Sequence, residues 1–499
     1  MTGICVSLTE STTEATLARM ASLRDVADLF EVRADFAPDL DLAAVLRERT
    51  RPIVFTCRPR SEGGRWPDED GEVRRRRLRD AVEQGVDFVD VELRSGFDDV
   101  IRSKAGHGLV ISSHDLEGIP DDLDRLDARM TEAGADVVKI VGTARSVADL
   151  GRLLAFARRR VREAALAAAS RARPGLVALA MGPYGVPSRV LGGRHGAPFT
   201  FAAAEAGREA APGQLPARAL LRTYRVRSVG PLTRAYGVLG TDVLRSLSPA
   251  IHNRAFEERG IDAVYVPLQA ESLEAFFGAL PDLGLSGFSV TRPYKSEIVP
   301  LLPSIMPTAA ESGSVNTVVE RDGRLVGLST DGDGVLVPLK KRLDVAGRRV
   351  AVVGAGGAAR AAAYALVRAG AQVSVFARRP EQAAEVASAT GCSHAPLSLL
   401  ARHPFDVLVH ATPAGSGAQP ERTPVALVPP PEAVVFDMVY EPRDTPLLRT
   451  ARAAGCRTID GVEMLVAQAV GQFEAWTGTT APVEAMTEAA LSALAEARS

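Results

Sequence analysis

"GADVVKIVG", residues 134–142, sets a lysine in the middle of a segment that otherwise reads as a buried strand. Burying an unpaired ammonium costs several kcal/mol or forces the group to neutralise. Lysine is also scarce here: of 59 basic residues only five are lysines, at 104, 139, 295, 340 and 341. Arginine keeps its proton, whereas lysine can become a neutral amine and a nucleophile, so Lys139 reads as a chemical group. The alternative is a strand-edge lysine whose head reaches solvent.

Working outward, similar apolar segments recur through residues 1–205 with helical stretches between them: "GICVSL", "LFEVRAD", "PIVFTCR", "FVDVELR", "LVISSHD", "DVVKIVG", "LVALAMG" and "FTFAAAE". Strands alternating with helices predict a parallel sheet, and eight such units predict a (β/α)8 barrel, with a doubly wound open sheet as the alternative. In a barrel the catalytic groups collect at the C-terminal strand ends. Glu31, Arg33, Arg58, Glu92, His114, Lys139 and Arg189 stand at those ends. Each alone reads as a strand-end group bonded to its own loop. Together they offer arginines for an anion and an amine for a carbonyl carbon.

At 499 residues, 46% hydrophobic and 24% charged, the chain is a globular protein of several domains. A net charge of -2 argues against nucleic-acid or membrane-surface partners. The run "VRRRRLRDAVEQG" (73–85) has acids close by and reads as a solvated helix face. The start "MTGICVSLTE" has no basic n-region, and no apolar run approaches the ~20 residues that span a bilayer. Cys5, Cys57, Cys392 and Cys456 form no CxxC pattern. Together these predict a cytoplasmic protein. Seven scattered histidines show no ligand spacing, so no metal is expected.

The motifs "EVRAD", "FTCR..EGG", "VDVEL", "SSHD", "VVKI", "MGPYGVPSR" and "APGQ" occur in order over about 215 residues. This set resembles type I 3-dehydroquinate dehydratase. The resemblance implies that Lys139 forms an imine with the ketone of 3-dehydroquinate, an electron sink that acidifies the neighbouring carbon. It implies that His114 moves that proton, that Glu92 orients His114, and that Arg189 holds the substrate carboxylate. Glu31, Arg33, Arg58 and Gln214 would hold hydroxyls or close the lid. Burial and neighbouring arginines would lower the Lys139 pKa. Ala210 departs from the serine of many relatives, which bears on one lid hydrogen bond.

From 216 to 240 the periodicity weakens and Pro, Gly and Arg accumulate, marking a linker. Further on, "RRVAVVGAGGAARAAAYALVRAG" (348–370) reads as strand, glycine turn and helix. Gly354 permits the turn, Gly356 lets the backbone approach a pyrophosphate, and the helix N-terminus supplies donors. The next strand ends in Arg378 and Arg379, which suit a 2'-phosphate and hence NADP(H); solvated surface arginines are the alternative.

Around this unit stand "GVLGTDVLRSLSPAIHNRAF", "GFSVTRPYK", "SVNTVV", "STDGDG", "HATPAGS", "DMVYEP" and "GVEMLVAQAVGQFEAWTG", in order over 237–478. They resemble shikimate dehydrogenase, whose fold is an α/β substrate domain followed by a Rossmann domain, with the last helices returning to the first. The resemblance implies Lys295 and Asp331 as the catalytic pair and Ser246 and Ser248 as carboxylate ligands. Thr291, Asn316 and Gln468 would contact ring hydroxyls, and Tyr440 would line the cleft. Gly357, Ala358 and Thr412 would join the cofactor contacts. Ser289, Ser329 and His410 replace asparagines common in relatives, which bears on shikimate against quinate. The implied domains are the barrel, 1–222; a linker, 223–233; the substrate domain, 234–343 with 476–499; and the Rossmann domain, 344–475.

The first half's implied product, 3-dehydroshikimate, is the second half's implied substrate. The expectation is therefore a bifunctional lyase and NADP-dependent oxidoreductase acting on small molecules. The alternatives are a quinate-preferring second half, or a metabolite sensor built on the same domains.

Overall fold

The computed structural model describes residues 1–103, 106–166, 173–417 and 419–496, so Lys104 lies outside the described residues. The eight apolar segments are strands: β1 (Gly3–Leu8), β2 (Leu29–Arg33), β3 (Ile53–Thr56), β4 (Phe88–Glu92), β5 (Gly108–Asp115), β6 (Val137–Thr143), β7 (Gly175–Met181) and β8 (Phe199–Ala203). Their order is β7-β6-β5-β4-β3-β2-β1-β8. A parallel ladder from Gly3↔Phe199 to Ser7↔Ala203 returns the last strand to the first. The sheet is a nearly closed barrel, not an open doubly wound one.

Side chains alternate along a strand, so Val137, Lys139 and Val141 share one face of β6. Val137 and Val141 join Cys5, Val54, Val110, Val177, Leu179, Met181, Phe199 and Phe201 in one buried cluster. Each such large side chain contributes about 1.5–3 kcal/mol. Their sum exceeds the several kcal/mol that one buried ammonium costs. The barrel tolerates Lys139 if that charge finds partners.

The arginine-rich run forms helix Gly71–Glu83. It is not wholly a solvated face: Arg74 turns inward, is 6% exposed and donates to the Cys57 carbonyl oxygen at 3.1 Å.

By internal contacts the chain divides into two units. One is Met1–Gly237 with Thr241–Leu244 and Asp262–Leu285; the other is Val238–Gly240 with Arg245–Ile261 and Ser286–Ser499. Segment Asp262–Leu285 joins the first because helix Leu273–Leu283 packs on helix Val147–Leu166. A Cβ at Gly151 would stand 3.3 Å from the Ala279 and Asp282 Cβ atoms, so the small residue permits that approach.

Beyond the barrel, β9 (Arg234–Gly240), β10 (Ala263–Gln269), β11 (Gly287–Val290), β12 (Ser304–Ile305), β13 (Thr317–Arg321) and β14 (Arg324–Leu328) form a sheet in the order β10-β9-β11-β13-β14-β12. It is mixed, with β13 antiparallel to β11 and β14, and β12 parallel to β14.

The third sheet holds β15 (Arg349–Val353), β16 (Gln372–Ala377), β17 (Ser393–Pro396), β18 (Val407–His410), β19 (Val434–Asp437) and β20 (Arg457–Ile459). All its ladders are parallel and its order is β17-β16-β15-β18-β19-β20, the Rossmann arrangement. Val350 and Val352 enter one buried cluster, Ala351 and Val353 another. Burial on both faces explains the unbroken apolar run before the glycine turn. Helix Val483–Glu496 packs on helix Ser248–Glu258. No helix among the described residues is long and apolar enough to cross a membrane.

Candidate active sites

Lys139 is 5% exposed. Its Nζ lies 3.0 Å from Asp90 Oδ2, 3.4 Å from Glu31 Oε1 and 3.8 Å from the centroid of the Phe201 ring. The residues nearest the amine are thus carboxylates rather than the arginines the sequence suggests. Ser112 is paired with both Lys139 and Glu92 across the ladders, yet Asp90, two residues before Glu92 on the same strand face, is the acid whose oxygen reaches Nζ.

Each carboxylate is held in turn. Glu31 accepts from Ser7 Oγ at 2.6 Å and Thr56 Oγ1 at 3.0 Å. Asp90 accepts from Ser112 Oγ at 2.6 Å and pairs with Arg58 Nη2 at 2.8 Å. Burial pushes both carboxyls up, but the surrounding cations outweigh it. Lys139 and Arg33 hold Glu31 below its usual range, and Arg58 and Lys139 do the same to Asp90.

His114 lies at the end of β5. Its Nδ1 is 3.0 Å from Glu62 Oε2, which also accepts from the His114 backbone N–H at 3.0 Å. The motif "EGG" explains how Glu62 arrives. A 3-10 turn, Arg60–Glu62, ends on Gly63 at φ 79°, and a Cβ at Gly64 would stand only 2.0 Å from the Arg58 carbonyl oxygen. Only two glycines let that loop fold back. Glu92, the orienting group expected from the sequence, is instead held by Arg58 Nη1 at 2.7 Å and by Arg74 Nη1. That assignment is corrected to Glu62: Glu92 faces two guanidiniums and is spent on them. Burial, then Arg58 and Lys139, push His114 well below its ordinary pKa, so the imidazole is neutral at pH 7. Burial pushes Glu62 up to about 7.

Arg33 binds Asp35 through two hydrogen bonds of 2.8 and 2.7 Å. Arg189 is 1% exposed, its Nη2 donates to the Pro212 carbonyl oxygen at 3.4 Å, and its Nε has no hydrogen-bond partner among the described residues. Burial pushes its pKa down to about 10. Gln214 Oε1 accepts from the Ala210 backbone N–H at 2.7 Å, so a main-chain bond anchors this loop at Ala210. Glu31, Arg33, Arg58, Glu62, His114, Lys139, Arg189 and Gln214 line a single cavity, with Ala210 and Phe201. Glu92 does not.

In the second unit, Lys295 Nζ bonds Asp331 Oδ1 at 2.8 Å and Oδ2 at 2.7 Å. Asp331 opens helix Asp331–Lys340 and is fully buried. Asn316 Nδ2 donates to Asp331 Oδ1 at 2.8 Å and to Thr330 Oγ1 at 2.9 Å, while its Oδ1 accepts from the Thr330 backbone N–H at 2.9 Å. In this state the Asn316 amide holds Asp331 in place. Gln468 meets the network through its main chain, accepting from Thr330 Oγ1 at 2.9 Å. Ser246 and Ser248 are half-buried at the start of helix Ser248–Glu258, where Ser248 N–H donates to Ser246 Oγ at 3.2 Å. Thr291 N–H donates to the Leu239 carbonyl oxygen at 2.9 Å, and Tyr440 is half-buried after β19. Ser289 is buried on β11 and the Ser329 hydroxyl is buried.

The dinucleotide features fit their purpose. Gly354 has φ +125°, and a Cβ there would stand 2.7 Å from the Ala411 carbonyl oxygen. Gly356 caps helix Gly357–Arg368, and a Cβ on Gly356 or Gly357 would meet nothing within 4 Å. That open space before the helix N-terminus, with Ala358 behind it, suits a pyrophosphate. Arg378 and Arg379 are exposed just past β16, where a ribose 2'-phosphate would be met. Thr412 is bonded to buried His410, whose Nδ1 lies 2.8 Å from Asp437 Oδ1.

A barrel with a buried amine at its mouth, joined to a Rossmann-type unit with a Lys–Asp pair, defines a two-centre α/β enzyme. Comparisons with known proteins specify it. Residues 4–231 match the family model of type I 3-dehydroquinase, 238–318 the shikimate dehydrogenase substrate binding domain, 342–414 a putative NAD(P)-binding domain and 461–491 the shikimate 5'-dehydrogenase C-terminal domain. The chain is 37% identical over 490 residues to the chloroplastic bifunctional 3-dehydroquinate dehydratase/shikimate dehydrogenase of Arabidopsis thaliana, covering 92% of this chain and 79% of that protein. It is 39% identical over 263 residues to the shikimate dehydrogenase (NADP(+)) of Pyrococcus abyssi, covering 52% of this chain and 98% of that protein. A crystal structure of a shikimate dehydrogenase in complex with NADP+ shares the fold at a TM-score of 0.51 and 31% identity, covering 53% of this chain and 97% of that one. The chain belongs to the family of bifunctional 3-dehydroquinate dehydratase/shikimate dehydrogenases.

Proposed function

We propose that the two centres run consecutive steps: dehydration of 3-dehydroquinate in the barrel, then NADPH-dependent reduction of 3-dehydroshikimate in the second half. The observation that carries the first step is one cavity holding the Lys139 amine, the His114–Glu62 pair and Arg189. Lys139, Arg58 and Arg74 are matched by Glu31, Asp90 and Glu92, and Arg33 by Asp35. Arg189 is the cavity's cation left for the substrate's carboxylate. In the chemistry we propose, Lys139 attacks the ketone and water leaves as the imine forms. Neutral His114, oriented by Glu62, takes the proton from the adjacent carbon and returns it to the departing hydroxyl, and water then hydrolyses the product imine to release 3-dehydroshikimate and free Lys139. Arg33, Arg58, Glu31 and Gln214 bind hydroxyls or fix the loop above them.

In the second half, bound NADPH supplies the hydride. Lys295 meets the developing alkoxide and supplies its proton, with Asp331 positioning Lys295 and Asn316 positioning Asp331. Ser246, Ser248, Thr291, Tyr440 and Gln468 are the proposed substrate contacts. Gly354, Gly356, Gly357, Ala358, Thr412, Arg378 and Arg379 are the proposed cofactor contacts. The proposed limits are 1–222, 223–233, 234–343 with 476–499, and 344–475. A cytoplasmic setting is also proposed, supported by four free cysteines; the relative from Arabidopsis thaliana is chloroplastic by name.

The test is borohydride reduction in the presence of 3-dehydroquinate, followed by peptide mass spectrometry. The reading requires a stable adduct on Lys139, and an unmodified Lys139 would remove it.

A further inference from the structure

Asp90 is fully buried and touches three groups at once: Lys139 Nζ at 3.0 Å, Arg58 Nη2 at 2.8 Å and Ser112 Oγ at 2.6 Å. A carboxylate with no exposed surface is costly unless each oxygen is satisfied, and here Oδ1 serves the guanidinium and hydroxyl while Oδ2 serves the amine. Arg58 is itself fixed, since its Nη1 donates to Glu92 and Ser112, both at 2.7 Å. The oxygen facing Lys139 is therefore rigidly placed.

We propose that Asp90 is a further catalytic residue of the barrel, the counterion that keeps the positive charge on Lys139 Nζ when the ammonium is converted to the substrate iminium. The proposal rests on the Lys139 imine reading. The balance is simple. An ammonium and a ketone become an iminium and water: Nζ gives up one proton to become the attacking amine and a second hydrogen as the carbinolamine collapses, the ketone oxygen leaves with both as water, and nitrogen carries one positive charge at the start and at the end. Removal of the carbon-bound proton to His114 then moves an electron pair onto nitrogen and yields a neutral enamine. Expulsion of hydroxide, protonated to water by His114, restores the cation.

Only the protonated imine is a strong electron sink, and the surroundings oppose it. Arg33, Arg58 and Arg189 line the same cavity, and His114 is neutral. On the other side stand Glu31, 3.4 Å from Nζ, and the Phe201 ring. Glu62 is engaged with His114 and Glu92 with Arg58 and Arg74. Arg33 is paired with Asp35 and Arg189 is taken by the substrate carboxylate, but without Asp90 the Arg58 guanidinium would lose one of its two carboxylate partners and its charge would favour loss of the imine proton. Asp90 also remains an anion, because Arg58 and Lys139 offset its burial, and so it does not quench the iminium by taking that proton.

Two variants of the full chain separate charge from packing. Asp90→Asn keeps the shape and removes the charge. Ser112→Ala keeps the charge and removes one hydrogen bond to it. Losing one preorganised electrostatic partner costs about 100- to 1,000-fold in turnover, so dehydration by Asp90→Asn is expected to fall by about 100-fold or more. Ser112→Ala is expected to lose less than about tenfold. Both should still oxidise NADPH at the parental rate with added 3-dehydroshikimate, which reports on the other half. Dehydration by Asp90→Asn within about threefold of the parent, or a loss in Ser112→Ala as large as in Asp90→Asn, would overturn the proposal. Borohydride trapping of the unsubstituted chain tests the imine separately: no adduct there sinks the reading itself, whereas an adduct with an active Asp90→Asn sinks only the role of Asp90.

Discussion

Glu62 Oε2 contacts His114 twice, at the backbone N–H and at ring Nδ1, both at 3.0 Å. A single oxygen thus fixes both the position and the ring orientation of the proposed base. With Glu62 ionised, Nδ1 carries the hydrogen and Nε2 is free to accept a proton.

This pair sets a pH dependence. Burial holds the Glu62 carboxyl at about 7, whereas His114 stays neutral far below that. As pH falls through about 7, Glu62 takes up a proton and ceases to be the acceptor for Nδ1–H. Dehydration, as kcat/KM, should therefore decline on the acid side of about pH 7, the apparent value belonging to the coupled pair. Glu62→Gln should lower the plateau and flatten that limb; an unchanged profile would detach Glu62 from the step.

Arg189 offers an opposed pair of effects. Its guanidinium is buried with no carboxylate partner among the described residues, which is costly and suits an anion. Arg189→Met should raise KM for 3-dehydroquinate by about 10- to 100-fold, since hydrogen bonds to charged groups are worth about 1.5–3 kcal/mol. It should also raise the melting temperature of the ligand-free chain. A variant that loses both binding and stability would make Arg189 structural.

The glycines of the Rossmann turn should part company. Gly356 has open space around it at φ -81°, so Gly356→Ala should leave the melting curve unchanged while weakening NADPH binding in a fluorescence titration. Gly354 sits at φ +125° against Ala411, so Gly354→Ala should lower thermal stability by itself. Equal stability losses at both positions would contradict a cofactor role for Gly356.

Arg378 stands exposed past β16. Arg378→Ala should erode the preference for NADPH over NADH by about tenfold or more, as loss of one charge-assisted contact implies. The ratio of kcat/KM for the two cofactors measures it, and an unchanged ratio would place phosphate recognition elsewhere.

The eight barrel strands were legible because each is an apolar run bounded by turn residues, and Lys139 stood out because its neighbours on the same face are valines. Lys295 and Asp331 were legible through their motifs, and the structure joins them at 2.7 Å. What was not legible is which acid meets which base. Glu62 reaches His114 across 52 positions through the geometry of a two-glycine turn, while Glu92, on a strand end as expected, is claimed by Arg58 and by an arginine from a run that reads as solvated. Asp90 lies two residues before Glu92 and so on the same strand face, a signal present in "VDVEL" but unusable from register, which sets Glu92 level with Lys139, until the folded side chains show Asp90 3.0 Å from Nζ.

NADPH oxidation by the purified chain, given 3-dehydroquinate alone and then 3-dehydroshikimate, tests the sequence of two steps most directly. Oxidation should begin on the first addition, vanish in Lys139→Ala, and return in that variant on the second addition. Oxidation that begins only with 3-dehydroshikimate in the unsubstituted chain, or a Lys139→Ala chain that matches it on 3-dehydroquinate, would contradict catalysis through the barrel amine.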